Sequence, residues 1–201
     1  MCGRFYVNDD TAREIEKTIR MVDEKLKMER RSKDIHPTEK APVISYQQGG
    51  MFVADKKWGF PGFDSKKVIF NARSESVLEK KMFRESVLKR RLIIPASGFY
   101  EWNRKKEKVT FISAVEEQPI LYMAGFYNIY GGEDRFVILT TGANGSMADV
   151  HERMPLLLKH QELEDWLRDD KRLEEFLHSK PHGVRRKMEY EQQDLFHLNL
   201  E

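Results

Sequence analysis

The chain has one cysteine in 201 residues. That scarcity excludes a disulfide framework and any zinc site built on a cysteine cluster. Long apolar runs are missing too: no stretch approaches the roughly 18 residues a membrane span needs. The opening "MCGRFYVNDD" holds no apolar core of the kind found in secretory leaders, so a cytoplasmic protein is expected, without membrane attachment. No Gly/Ser-rich linker, internal repeat or low-complexity tract divides the chain, and one domain over residues 1–201 is expected. Neither sign of charge dominates, with 35 basic against 33 acidic residues and a formal net charge of +2. This argues against a generally cationic protein and leaves room for a basic groove on a mixed surface.

What is present follows from periodicity. Hydrophobic residues make up 40% of the chain, enough for a sizeable core. "TAREIEKTIRMVDEKLKMERRSKD" places Ile15, Ile19, Val22 and Leu26 at helical spacing, with Thr11 as the expected cap and a basic run at the end. From about residue 41 to 143 the pattern becomes short apolar or alternating runs, including "APVISYQ", "MFVADKKWGF", "VIFNAR", "RLIIPASGFYEW", "VTFISAVE", "ILYMAGFYNIY" and "RFVILTTGAN". Most are bounded by Gly, Pro, Asp or Asn, as strands are. "EKKMFRESVLKR" predicts one interrupting helix. "HQELEDWLRDD" and "KRLEEFLHSK" predict two more, before an edge strand near "GVRRKMEY". The pattern predicts an α+β fold: an antiparallel, β-rich core of barrel-like sheets with peripheral helices.

The position of the cysteine is chemically distinctive. Chain ends are usually frayed and wet, a poor place for a packing cysteine. Cys2 stands directly behind Met1, and cysteine is small enough for an initiator methionine to be trimmed away. One residue would then carry an α-amine and a thiol on adjacent carbons. With reference pKa values near 8 and 8.5, part of the amine is nucleophilic at neutral pH. A 1,2-aminothiol condenses with an aldehyde: the amine forms an imine, and the thiol closes a thiazolidine ring. A lone cysteine more often carries no chemistry, so the other segments matter.

Four segments place polar residues where a plain core strand would not. "FNARSES" sets Asn71 and Arg73 in an extended run, and "PASGFYEW" sets Glu101 among aromatics, where desolvation raises a carboxyl pKa. "TTGANGSMADVHERMP" carries His151 and Arg153 in an expected loop ending at Pro155, and "MCGRF" adds Arg4 beside Cys2. Each has an ordinary structural explanation when taken singly. Together they form an uncommon set.

In this set the sequence resembles the SRAP (SOS response-associated peptidase-like) family of abasic-site processing proteins. The resemblance rests on "MCGRF", "WGF", "NAR", "IPASGFYEW", "MAGFY", "ILTTGAN" and "HERMP", in order and across almost the whole chain. It implies that Cys2 is a nucleophile forming a thiazolidine crosslink with the ring-opened aldehyde of an abasic site in single-stranded DNA. Asn71 would hold the sugar or the cysteine backbone, Glu101 would transfer protons during imine formation, and His151 would help open the deoxyribose ring. Arg4, Arg73 and Arg153 would clamp phosphates. No cofactor or metal is implied, and the protein is expected to act as a monomer, associated with the nucleoid when bound to DNA.

The chemistry asks for the same residue types. A group that protonates the ring oxygen speeds capture, and histidine titrates in the right range. Carbinolamine dehydration needs an acid, and ring closure by a thiol already in place gains a large effective molarity. Two departures stand out. Relatives often read "YNIAPT" where this chain has "KDIHPTE", making Asp34 and His36 unusual beside Pro37, which with Phe63 is expected to meet the DNA strand next to the arginines. Phe63 stands where some relatives carry base-stacking tryptophans, while Trp58 reads as a core anchor. Two other functions compete: a thiol peptidase with Cys2 and His151, and a non-covalent single-strand binder using the basic runs "VLKRRLIIP" and "HGVRRKMEY".

Overall fold

Short strands separated by glycine, proline and asparagine build this molecule, as the punctuated apolar runs require. The computed structural model describes residues 2–18, 33–47, 49–64 and 67–187. Strand β1 (Phe5–Val7) leads into helix α1 (Asp9–Thr18). Asn8, not Thr11, caps that helix: its Oδ1 accepts from the amides of Asp10 at 2.9 Å and Thr11 at 3.3 Å. Thr11 instead lies in the first turn, and its hydroxyl accepts from the Asn8 amide at 3.3 Å. The part of the expected helix that holds Ile19, Val22 and Leu26 lies outside the described residues.

Then come β2 (Lys33–Ile35), β3 (Lys40–Gln47), β4 (Gly50–Trp58), β5 (Phe60–Pro61), β6 (Val68–Ile69) and β7 (Asn71–Arg73). A 3-10 turn at Ser74–Ser76 precedes α2 (Lys81–Lys89), the helix expected between strands. The strands resume with β8 (Arg91–Ala96), β9 (Gly98–Trp102), β10 (Lys108–Ser113), β11 (Leu121–Tyr130), β12 (Glu133–Gly142), β13 (Arg153–Pro155) and β14 (Leu157–Leu158). Helices α3 (Leu163–Arg168) and α4 (Leu173–Leu177) and the strand β15 (Val184–Arg186) complete the fold.

Strands β12, β4, β3, β8 and β11 pair in a ring, closed by the β11–β12 hairpin, with β7, β13 and β14 attached to it. A second sheet runs β15-β10-β9-β1-β2, and β15 is its edge strand, as expected. Most pairings are antiparallel, but β12 pairs in parallel with both β4 and β7. Alternation along each barrel strand divides the core. Leu92, Ile94, Met123, Phe136 and Ile138 join Phe5, Phe99 and Phe111 of the second sheet. Ile93, Tyr122, Phe126, Val137 and Leu139 pack instead with Val87, Leu163, Trp166 and Phe176 of the helices.

The two sheets meet at Ser97, between β8 and β9. Its amide donates to Tyr6 O at 2.9 Å, and its hydroxyl donates to Asn8 Oδ1 at 2.6 Å, tying the bend to the α1 cap. Gly98 follows because nothing larger fits: a Cβ there would stand 2.5 Å from Phe111 O and from the Tyr6 ring. The segment "HERMP" is not a loop to its end, since Arg153–Pro155 forms β13 against Thr140–Gly142 of β12. Strands of two or three residues are too short to show a period, which is why β1, β2, β13 and β14 were not read from sequence. No helix among the described residues is long and apolar enough to cross a membrane.

Candidate active site

Cys2 is not a frayed end. The backbone pairing of β1 with β9 continues past Phe5, where Tyr100 N donates to Arg4 O at 3.0 Å, so the first residues lie along the sheet. The Cys2 side chain is fully buried with Phe5, Phe99 and Trp58. Asn71 reaches it from β7: Nδ2 donates to the Cys2 carbonyl at 2.8 Å. The same amide turns its buried Oδ1 to a place where no described residue donates to it.

Glu101 arrives by strand alternation. On β9, Phe99 and Glu101 face the core, whereas Tyr100 is half-buried and Trp102 exposed. A carboxylate thus occupies a core-facing position, 2% exposed, on the Cys2 side of the sheet. Burial pushes the Cys2 thiol far above its ordinary range, and the nearby Glu101 carboxylate pushes it further. The thiol is therefore kept protonated.

His151 and Arg153 come from the β12–β13 connection. Met147, Val150 and Met154 of this segment belong to the same core cluster as Cys2, which anchors the loop in that half of the core. Asn144 braces it, with Nδ2 donating to Pro181 O at 2.9 Å and Oδ1 accepting from the Ser146 amide at 2.9 Å. The His151 ring is oriented locally by the Arg153 backbone: Nδ1 lies 2.9 Å from the Arg153 amide nitrogen and 3.2 Å from its carbonyl oxygen.

The three arginines stand in different circumstances. Arg73, at the end of β7, is exposed and makes no ion pair among the described residues. Arg4 lies 5.8 Å from the Tyr100 ring centre and 5.6 Å from that of Trp102, with Nη1 3.6 Å from Asp34 Oδ2. Tyr100 OH also donates to Asp34 at 2.9 Å, and burial together with this carboxylate raises the Tyr100 pKa. The unusual Asp34 is thereby explained as a partner shared by Arg4 and Tyr100. Arg153 is not an open clamp. Its fork is closed on Glu75, with Nη1–Oε1 at 2.7 Å and Nη2–Oε2 at 2.9 Å, and Nη2 also donates to Thr140 O at 2.6 Å.

Glu75 was missed in the sequence because no local pattern pairs it with an arginine 78 positions away. It also lines a cleft of about 490 Å³ with Thr141, Asn144, His178 and Lys180. Pro37 and Phe63 stay at the periphery. Pro37 precedes a turn in which Thr38 holds φ 78° and donates its amide to Trp58 O at 2.7 Å. Phe63, at 106% relative exposure, touches little and stands fully in solvent between β5 and β6. Trp58 is the core anchor expected, stacked on Phe136 at 6.3 Å and donating Nε1 to Phe70 O at 2.8 Å.

Cys2 is therefore joined to Asn71 by a hydrogen bond and to Glu101 electrostatically, while the loop of His151 and Arg153 is anchored in the same core cluster. Against known proteins, residues 1–192 match the family model described as SOS response associated peptidase (SRAP). The abasic site processing protein YoaM of Bacillus subtilis is 29% identical over 160 residues, covering 74% of this chain and 70% of YoaM. The abasic site processing protein YoqW of the same organism is 30% identical over 148 residues, 68% of this chain and 66% of its own. A crystal structure of a Bordetella bronchiseptica protein superposes with a TM-score of 0.73 at 23% identity, over 93% of this chain and all of that one, and shares the fold. With a family model matched from the first residue to beyond β15, this chain belongs to the SOS response associated peptidase family.

Proposed function

We propose that this protein processes abasic sites in single-stranded DNA by forming a covalent thiazolidine through Cys2, once removal of Met1 has freed its α-amine. The observation that carries the proposal is the clustering of Asn71 and Glu101 on the cysteine, with its carbonyl held and its thiol buried beside a carboxylate. Such anchoring suits a residue whose backbone nitrogen is to react, and it has little purpose for an incidental cysteine.

The steps balance without an added reagent. Ring opening of the abasic sugar exposes its C1 aldehyde, and a proton delivered to the ring oxygen assists; His151, whose ring the Arg153 backbone orients, suits that role. The Cys2 amine adds to the aldehyde carbon, and the carbinolamine loses water to become an imine. Glu101 is the group beside Cys2 that can give and take the protons of this dehydration. The thiol then adds to the imine carbon, forming the C–S bond, while its proton passes to the imine nitrogen. A thiol kept protonated by burial favours this order, with the amine reacting first. Asn71 fixes the cysteine backbone, so both nucleophiles meet one carbon without a further search. Arg73 and Arg4 lie where phosphates of a strand can be met, and exposed Phe63 offers a face for base stacking.

Intact mass spectrometry before and after incubation with an oligonucleotide containing one abasic site tests this reading. The expected result is a protein starting at Cys2, then a species heavier by the oligonucleotide minus one water. Adduct formation by protein that retains Met1, or by Cys2→Ala with the same heat-stable linkage, would overturn it. A thiol peptidase is the weaker reading because the thiol is fully buried and held protonated, the opposite of an activated nucleophile.

A further inference from the structure

We infer that Glu75 gates the Arg153 phosphate clamp, occupying it in the absence of DNA and yielding it when a strand binds. The inference rests on the single-strand reading above. A guanidinium fork grips a carboxylate and a phosphate with the same paired N–H geometry. In this structure Glu75 fills both prongs, at 2.7 and 2.9 Å. Arg153 is largely enclosed, with 13% of its side chain exposed, while Glu75 keeps 42%. Glu75 also accepts from the Thr141 hydroxyl at 3.4 Å, but it is the more exposed member of the pair and the one with room to swing away.

Three features support the exchange. Arg153 is held independently of Glu75: its backbone belongs to β13, paired with Gly142, and Nη2 also donates to Thr140 O. The clamp thus stays in place when the carboxylate leaves. Glu75 sits on the 3-10 turn directly after Arg73, so a strand reaching exposed Arg73 comes within two residues of it. The cleft of about 490 Å³ beside Glu75 gives its side chain somewhere to go, and Lys180 in its lining offers the displaced carboxylate another cation. The Glu75 carboxyl pKa is depressed by its bond to Arg153, so the gate carries its charge at neutral pH and acts by competition between anions. The consequence is weaker binding to any passing strand, with the cost of opening met only by a well-placed phosphate.

The test is binding of a fluorescent, undamaged oligothymidine over a range of KCl concentrations, for wild type, Glu75→Gln, Arg153→Gln and the double variant. Glu75→Gln should tighten binding roughly 1.5- to fivefold, the scale of a partly exposed ion pair, and steepen the salt slope by about 0.7. Arg153→Gln should weaken binding, and adding Glu75→Gln to it should change nothing further. Should Glu75→Gln melt below the assay temperature, Glu75→Asp, too short to fill both prongs, should tighten binding about twofold or more. Arg153→Gln binding like wild type would sink both the gate and the placement of DNA at Arg153. Weakening by Arg153→Gln without tightening by Glu75→Gln or Glu75→Asp would sink the gate alone. A gain from Glu75→Gln that persists without Arg153 would be a general charge effect, and would also overturn the gate.

Discussion

Asn71 Nδ2 donates to the Cys2 carbonyl at 2.8 Å, a bond between residues 69 positions apart that ties Cys2 to strand β7. Replacing Asn71 with Asp keeps the shape but sets a carboxylate oxygen against a carbonyl oxygen. The bond becomes a repulsion, and the cysteine backbone should swing out of register. Adduct formation, followed on denaturing gels, should slow by about a hundredfold for Asn71→Asp, the scale of a misplaced reacting group, and by less for Asn71→Ala. Wild-type rates in both would remove Asn71 from the site.

Glu101 and His151 are assigned proton transfers rather than binding. Glu101→Gln and His151→Ala should each slow capture by about 10²–10⁴-fold, the range of general acid–base catalysis. Affinity for an unreactive abasic analogue should stay within about threefold of wild type, since exposed charges at the rim carry the binding. Capture at wild-type rates by both variants would contradict the assignment, and so would a loss of affinity matching the loss of rate.

Phe63 offers a clean separation of stability from binding. Because it is fully exposed, Phe63→Ala should leave the urea midpoint unchanged, within about 0.5 kcal/mol. Base stacking on an aromatic is worth about 1–3 kcal/mol, so single-strand affinity should fall at least about fivefold. Unchanged affinity would mean that the β5–β6 connection does not meet the strand.

The buried thiol makes a prediction about pH. Burial and Glu101 raise the Cys2 pKa above its ordinary value of about 8.5, so the unfolded chain releases this proton first as pH rises. Its stabilisation is complete below that ordinary value and is lost progressively above it, by about 1.4 kcal/mol per pH unit. Urea midpoints of wild type should therefore decline above that point more steeply than those of Cys2→Ala. The raised pKa values of Tyr6, Tyr100 and Tyr122 act alike in both proteins, so the difference isolates Cys2. Parallel declines would show that the thiol ionises freely in the folded state.

Trp58 tests the core beneath the site. It touches the rings of Phe5, Phe70 and Phe136, at 5.1, 5.8 and 6.3 Å between centres. Trp58→Ala should cost about 3–5 kcal/mol in chemical denaturation, as other large-to-small core changes do. A loss below about 1 kcal/mol would show that the ring is not integral to the core.

Local sequence determined the elements that are long enough to carry a period. Short apolar runs bounded by turn residues, "APVISYQ" and "ILYMAGFYNIY", produced β3 and β11, and helical spacing in "KMFRESVLK" produced α2. Cys2, Asn71, Glu101 and His151 stood out in the sequence as candidate groups within the motifs that carry the family resemblance. Contacts between distant residues did not. Asn8 took the cap from Thr11 because its side chain also accepts from Ser97, 89 positions away. Cys2 became a core residue because β1 found β9, and Arg153 met Glu75 because β7 and β13 both pair with β12. A residue's type and its local period depend on its neighbours in the chain, whereas its burial and its partner's charge depend on which strands close the barrel. The first set singled out candidate groups; the second decided that the thiol is protonated and that Arg153 already holds a carboxylate.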